Sequence, residues 1–182
     1  MLVIFSGLPG VGKSSVSYQL AKRIRALYLR IDSIEKAINN SALKVTQSED
    51  AGYLAAYNVA KDNLNLGHNV VADSVNPIEL TRKAWRNVAI ESGAKFFEVE
   101  LICSDKTEHQ HRVEARNLKL KDVGPLVSWS DIVKRDYSLW ENIDLQLDSS
   151  KLSIEDCVEC ILKEIFCIDP KLQDIFMEQV IR

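Results

Sequence analysis

The stretch "GLPGVGKSS" at residues 7–15 constrains this chain more than any other part of it. Gly7, Gly12, Lys13 and Ser14 satisfy the spacing G-x-x-x-x-G-K-[ST], the Walker A pattern of a phosphate-binding loop (P-loop). The chemistry explains the residue types. Backbone N–H groups must converge on phosphate oxygens, so glycines supply unusual dihedrals and keep side chains clear. Leu8, Pro9, Gly10, Val11 and Ser15 complete the loop, and the following helix adds the positive end of its dipole. Lys13 is expected to reach the β- and γ-phosphates, and the Ser14 hydroxyl to ligate Mg²⁺. The motif has its proper setting: Leu2 to Phe5 reads as a buried strand, and Val16, Leu20, Ile24 and Leu27 recur on one helical face. The loop predicts a nucleoside triphosphate site.

Beyond the loop, strand and helix patterns alternate, the signature of parallel βαβ units. Residues 26–32 read as a second strand followed by a helix. Residues 49–67 read as a helix capped by Ser48 and stopped by Gly67. Residues 69–74 form a short apolar run ending in Asp73 and Ser74. "NPIE" at 76–79 supplies an N-cap Asn76, a first-turn Pro77 and a capping-box Glu79, for a helix with Leu80, Ala84 and Val88 on one face. Residues 95–103 and 143–148 are two more strands. Between them, "SWSD" at 128–131 is a capping box for a helix reaching Trp140. Ser153 and Asp156 cap the helix bearing Cys157, Ile161, Leu162 and Ile165. Asp169-Pro170 opens a last amphipathic helix with Leu172, Ile175, Phe176 and Val180. The expected fold is a three-layer α/β/α sandwich around a five-stranded parallel sheet. It forms a single domain over 1–182, with a polar, arginine-rich lid at about 105–128 and a C-terminal helical extension at 168–182.

Composition excludes several classes. The 182 residues are 46% hydrophobic and 27% charged, with net charge −3, which fits a globular domain and argues against wholesale nucleic-acid coating. No window has the apolar length of a membrane span, and the N-terminal apolar run is too short for a signal peptide, so the expected location is cytoplasmic. The pair Cys157/Cys160 lies in a helical pattern and reads as core, not as a metal or redox pair. His109 and His111 have no zinc spacing and read as solvated side chains.

Ligands of such sheets sit at the carboxyl ends of the strands. Asp73 ends the third strand, where a P-loop protein holds a Mg²⁺-ordering acid. Asp32 ends the second and could accept the proton of an attacking hydroxyl, or simply cap the next helix. Arg112 and Arg116, four apart, share a helical face. They could close over phosphates, or form a solvated face with Glu108 pairing Arg112. Residues 41–60 and the Asn76 region are expected to line an acceptor pocket.

With these residues in place the chain resembles the nucleoside-kinase-like branch of P-loop proteins. Within it, the chain is similar to the AAA_33-like family of small ATP-binding kinases, related to polynucleotide kinase, chloramphenicol phosphotransferase and zeta toxin. "FSGLPGVGKSS", "LRIDSIEKAI", "VVADSVNP", "HRVEARN" and "SWSDIVKRDYSLW" carry the resemblance, over residues 2 to about 160. It implies sheet order 2-3-1-4-5, a general-base role for Asp32, and ATP-phosphate contacts for Arg112 and Arg116. Where polynucleotide kinases hold the substrate's phosphate with an arginine, this chain has Glu35, and an acid there repels a nucleic-acid end.

The expected function is therefore transferase chemistry. An ATP- and Mg²⁺-dependent kinase would move the γ-phosphoryl to a hydroxyl of a small-molecule acceptor at Asp32 and Asn76. The alternatives are a polynucleotide 5′-hydroxyl kinase using Arg23, Arg25 and Arg30, and a nucleotide-dependent ATPase switch without a metabolite acceptor. The sequence leaves the oligomeric state open.

Overall fold

The computed structural model describes residues 1–43, 45, 48–120, 127–138 and 140–174. In chain order the elements are β1 (Leu2–Ser6), α1 (Lys13–Arg23), β2 (Leu27–Arg30), α2 (Ile31–Asn39), α3 (Ala51–Asn65) and β3 (Val70–Asp73). There follow α4 (Glu79–Glu91), β4 (Phe96–Ile102), α5 (Lys106–Leu120), α6 (Trp129–Lys134), β5 (Leu145–Asp148) and α7 (Ile154–Ile168). All strand pairs are parallel and the order is β2-β3-β1-β4-β5, as the resemblance implies.

Strand alternation builds the three layers. On β1, Val3 and Phe5 face α1 and α7, where they meet Val16, Leu20, Val158, Ile161 and Ile165. Leu2 and Ile4 face the other way, onto Ala56, Ala60, Trp85 and Ala89 of α3 and α4. β1 is buried on both faces, which is why its sequence is a continuous apolar run and not an alternation. β4 departs from that pattern. Phe97, Val99 and Leu101 join the α1/α7 core, while Glu98 and Glu100 are buried on the opposite face. Arg86 Nε donates to Glu98 at 2.8 Å, and Tyr137 Oη and Gln146 Nε2 each donate to Glu100 at 2.7 Å, so both acids are satisfied.

Several boundaries differ from the sequence reading. β2 ends at Arg30, so Asp32 lies in the first turn of α2 and does not end a strand; the N-cap is Arg30 and no side chain caps it. Leu27 belongs to β2 and not to α1. The N-cap of α3 is Asp50, not Ser48. α4 starts at Glu79 with Ile78 at its N-cap, because Asn76 adopts φ +46 and spends its side chain on the Phe5 carbonyl. The buried face of α4 is Arg82, Trp85, Val88 and Ala89, while Leu80 is exposed. α6 stops at Lys134, well before Trp140. The capping boxes at Ser128/Asp131 and Ser153/Asp156 are formed as expected. Leu172 packs into the α1/α7 core, while Ile175, Phe176 and Val180 lie outside the described residues. No described helix is long and apolar enough to cross a membrane.

Candidate active site

β1 delivers the P-loop to the carboxyl edge of the sheet. Gly7 follows its last residue at φ +133, and a Cβ there would stand 2.1 Å from the Leu101 carbonyl oxygen, so only glycine fits. The loop then runs to Gly12, the N-cap of α1, which leaves the helix's N-terminus without a side-chain cap, the arrangement that suits an anion. Lys13 is the first helical residue. It is 7% exposed, and its ammonium donates to the Leu8 carbonyl at 3.0 Å across the loop.

A cleft of about 770 Å³ opens over the loop. It is lined by Lys13, Ser14 and Asp73, by Asp32, Glu35 and Lys36 of α2, and by Arg112, Arg116 and Arg135. The structure thus brings the expected Lys13, Ser14, Asp32, Asp73, Arg112 and Arg116 to one cavity. Asn76 is fully buried behind it: Nδ2 donates to the Phe5 carbonyl at 2.9 Å, and the cleft wall nearby is made by Val75 and Pro77. Of the 41–60 stretch, Tyr53 reaches the cleft; Lys44, Thr46 and Gln47 lie outside the described residues.

The two aspartates sit in different surroundings. Asp73 is 3% exposed; Tyr28 Oη donates to its Oδ2 at 2.7 Å, and Arg30 Nε lies 3.6 Å away. Burial, with the Asp73 charge behind it, pushes the Tyr28 phenol well above its usual range, so Tyr28 stays a donor. Asp32 is exposed to the cleft, with Arg30 Nη2 at 3.0 Å and Arg116 Nη2 at 3.6 Å, both against Oδ2. Burial, and next the Asp32 charge, push the Glu35 carboxyl up, while Arg135 opposes them.

The arginines divide their work. Arg112 donates to Ser149 Oγ and to the Ser149 carbonyl, both at 2.9 Å, and to Glu108 at 2.5 Å. It therefore ties α5 to the β5–α7 loop, and the Glu108 pair considered from sequence is formed. Arg112 also borders a second pocket of about 350 Å³ with Gly12, Ser15, Leu152 and Cys157. Of the proposed nucleic-acid track, Arg23 pairs with Glu155 and Glu159 on α7, and Arg30 turns into the cleft.

Three features escaped the sequence reading. His109 is not solvated. It is 5% exposed, its Nε2 lies 2.8 Å from the Pro9 carbonyl, and its ring meets Trp129 edge-on. Arg82, 1% exposed, donates from Nε to the Asn76 carbonyl at 3.0 Å and from Nη2 to the Ser138 carbonyl at 2.7 Å. Its guanidinium stands 4.5 Å over the Trp140 ring, so it joins the loop after β3 to the segment that carries Arg135. The 350 Å³ pocket joins the end of the phosphate loop, at Gly12 and Ser15, to Arg112 and to residues 149–157, and no single motif spans those three segments.

Burial lowers the Lys13 ammonium to about 8, against the opposing pull of Asp73 and Asp32. A polyphosphate in the cleft would raise it again. Binding is then proton-assisted: affinity is full below about pH 8 and falls above it, until the pKa of the bound state is passed. Titration calorimetry at pH 8 in buffers of differing ionisation enthalpy should show proton uptake on nucleotide binding, and Lys13→Ala should remove it. Binding heats that do not depend on the buffer would contradict this.

A family model described as an AAA domain, AAA_33, matches residues 2–125. No curated protein matches the chain. Among solved structures, the chain is similar to the Mycobacterium tuberculosis APS kinase CysC in complex with AMPPNP and APS. The TM-score is 0.68 at 23% identity, over 89% of this chain and 95% of that one. It is also similar to Chaetomium thermophilum Kti12 in complex with ADP-AlF3, with TM-score 0.64 at 18% identity over 90% and 98%. A gluconokinase from Sinorhizobium meliloti 1021 gives 0.60 at 14% identity over 92% and 96%. At these identities the likenesses show a shared fold.

Proposed function

This chain belongs to the AAA-domain family AAA_33, and on that premise we propose that it is a kinase. It would move the γ-phosphoryl of ATP, with Mg²⁺, to a hydroxyl of a small-molecule acceptor. One observation carries the reading: a single cleft is lined both by the P-loop lysine and by an exposed carboxylate, Asp32. Glu35, Asn39 and Tyr53, which lie outside the phosphate loop, line the same cleft and could meet an acceptor. The kinases among the structural relatives support the same class.

The oxygen donors suit Mg²⁺. Among the described residues no cluster of three or more His, Cys, Asp or Glu could cage a metal. Ser14 and Asp73 instead offer the one or two protein oxygens that Mg²⁺ uses when phosphates and water complete its shell. When bound, the ion would neutralise negative charge on the β- and γ-phosphates.

The protein's own part is positioning and charge stabilisation. The loop amides and Lys13 hold the β- and γ-phosphates. Asp73, fixed by Tyr28, would hold the ion directly or through its waters. Asp32 accepts the proton of the acceptor hydroxyl as it attacks phosphorus in line with the leaving ADP oxygen. Arg116 and Arg135 line the same cleft and would offset charge on the transferring group, and Arg112 borders the pocket beside Ser15, where a base would lie within reach of the loop.

Labelled ATP and Mg²⁺ offered with a panel of metabolite alcohols should yield a labelled product above the hydrolysis measured without acceptor. Transfer should vanish with a chelator and change little with salt, because no long polyanion is bound. Hydrolysis alone, unaffected by every acceptor, would favour a nucleotide switch and reject the transferase.

A further inference from the structure

Residues Leu8 to Val11 form a turn in which the Val11 N–H reaches the Leu8 carbonyl at 3.5 Å, with Pro9 second and Gly10 third at φ +89. Proline second and a positive φ third are the marks of a type II turn. Type I and type II turns of one sequence differ by a flip of the central peptide, here the one joining Pro9 to Gly10. That peptide is trans, so its C=O and N–H point in opposite directions. For a phosphate the difference is decisive, since one orientation offers a donor and the other an acceptor that repels anions.

The Pro9 carbonyl is taken by His109, whose Nε2 lies 2.8 Å away. A carbonyl can only accept, so Nε2 carries the hydrogen. His109 is 5% exposed and sits beneath the loop on α5, while Pro9 and Gly10 border the cleft on their other side. A carbonyl held toward α5 leaves the Gly10 N–H turned to the cleft. The space a Cβ of Gly10 would need is occupied, with Val113 Cγ2 at 2.5 Å and the His109 ring at 3.3 Å. Gly10, which the P-loop pattern leaves unspecified, is thus required by the seat on α5. The His109 ring is held in turn by Trp129, the first residue of α6, with centroids 5.0 Å apart at 83°.

We propose that His109 is a positioning residue for phosphate binding: it locks the Pro9–Gly10 peptide with its N–H toward the phosphates and seats the loop on α5. The proposal rests on the nucleotide reading above. It also makes the first two turns of α5 a support of the loop and not a part of a moving lid. Arg112, three residues on, is fixed to Ser149 by the same helix.

Two variants separate the donor from the packing. His109→Leu keeps an apolar body against Val113 and Trp129 but has no donor. His109→Gln keeps an N–H at about the reach of Nε2. The dissociation constant of AMPPNP with Mg²⁺, and that of inorganic tripolyphosphate, should rise about tenfold in His109→Leu and stay within about threefold in His109→Gln, the scale of one hydrogen bond and the peptide it holds. Long-range ¹H–¹⁵N spectra of the nucleotide-free protein should show the Nε2–H tautomer. Three results would overturn the proposal: unchanged affinities in His109→Leu, equal losses in both variants with equal falls in melting temperature, or an Nδ1–H tautomer. If the unaltered protein binds neither probe, it is the nucleotide reading that fails, and the loop has no phosphate for His109 to serve.

Discussion

Lys13→Ala is expected to lower nucleotide turnover by roughly a thousandfold, the upper end of what removing one transition-state donor costs. Three of the cleft's arginines are already engaged and are not free to replace it. Arg30 is held by Asp32 and Asp73, Arg116 by Asp32, and Arg112 by Glu108 and Ser149. The variant should nevertheless fold. Burial depresses the ammonium to about 8, so at neutral pH the charge is held against a desolvation cost, and alanine removes that cost. The hydrogen bond to Leu8 goes with it, a loss of about 1 kcal/mol. Melting temperature should therefore hold or rise while activity collapses. Lys13→Arg should not rescue, because a planar guanidinium cannot occupy the space of a compact ammonium seated 3.0 Å from the Leu8 carbonyl. Full turnover in a folded Lys13→Ala protein would refute phosphate binding at this loop.

How far the sequence could be read depended on the range of the interactions that fix each residue. The P-loop, the five strands and the capping boxes at Ser128 and Ser153 are local devices, whose signals lie within a few adjacent residues. The start of α4 had an equally good local signal in Asn76-Pro77-Ile78-Glu79. It lost to a tertiary contact, because Asn76 sits 71 residues from Phe5 in the chain and bonds its carbonyl. His109 and Arg82 fail for the same reason, being polar residues with partners 100 and 56 positions away. Their spacing along a helix says nothing of a carbonyl waiting on the other side. Asp32 was found in the right place for a partly wrong reason: it enters the cleft from the first turn of α2, just beyond the strand it was expected to end.

That placement separates Asp32 from Asp73. Both carboxylates border the cleft, and both touch Arg30. Asp73 is buried and supports the charge on Lys13, so Asp73→Asn should weaken Mg²⁺-dependent nucleotide binding and let the Lys13 ammonium fall further. Asp32 is exposed in the cleft and pairs with Arg30 and Arg116. Asp32→Asn frees Arg116, leaves Arg30 with Asp73 alone, and removes a negative charge from the cleft, so nucleotide affinity should hold or tighten. Transfer to the acceptor should nonetheless fall by about a hundredfold or more, the scale of losing a general base. Only Asp73→Asn should thus cost nucleotide affinity, while both substitutions reduce transfer. No loss of a helix cap can mimic this at Asp32, since its side chain caps nothing in α2. Titration calorimetry with AMPPNP and Mg²⁺, set beside acceptor-dependent rates, reads both quantities. Should Asp32→Asn lose nucleotide affinity as Asp73→Asn does, Asp32 belongs to the metal's surroundings, and the proton of the acceptor hydroxyl must leave by another group.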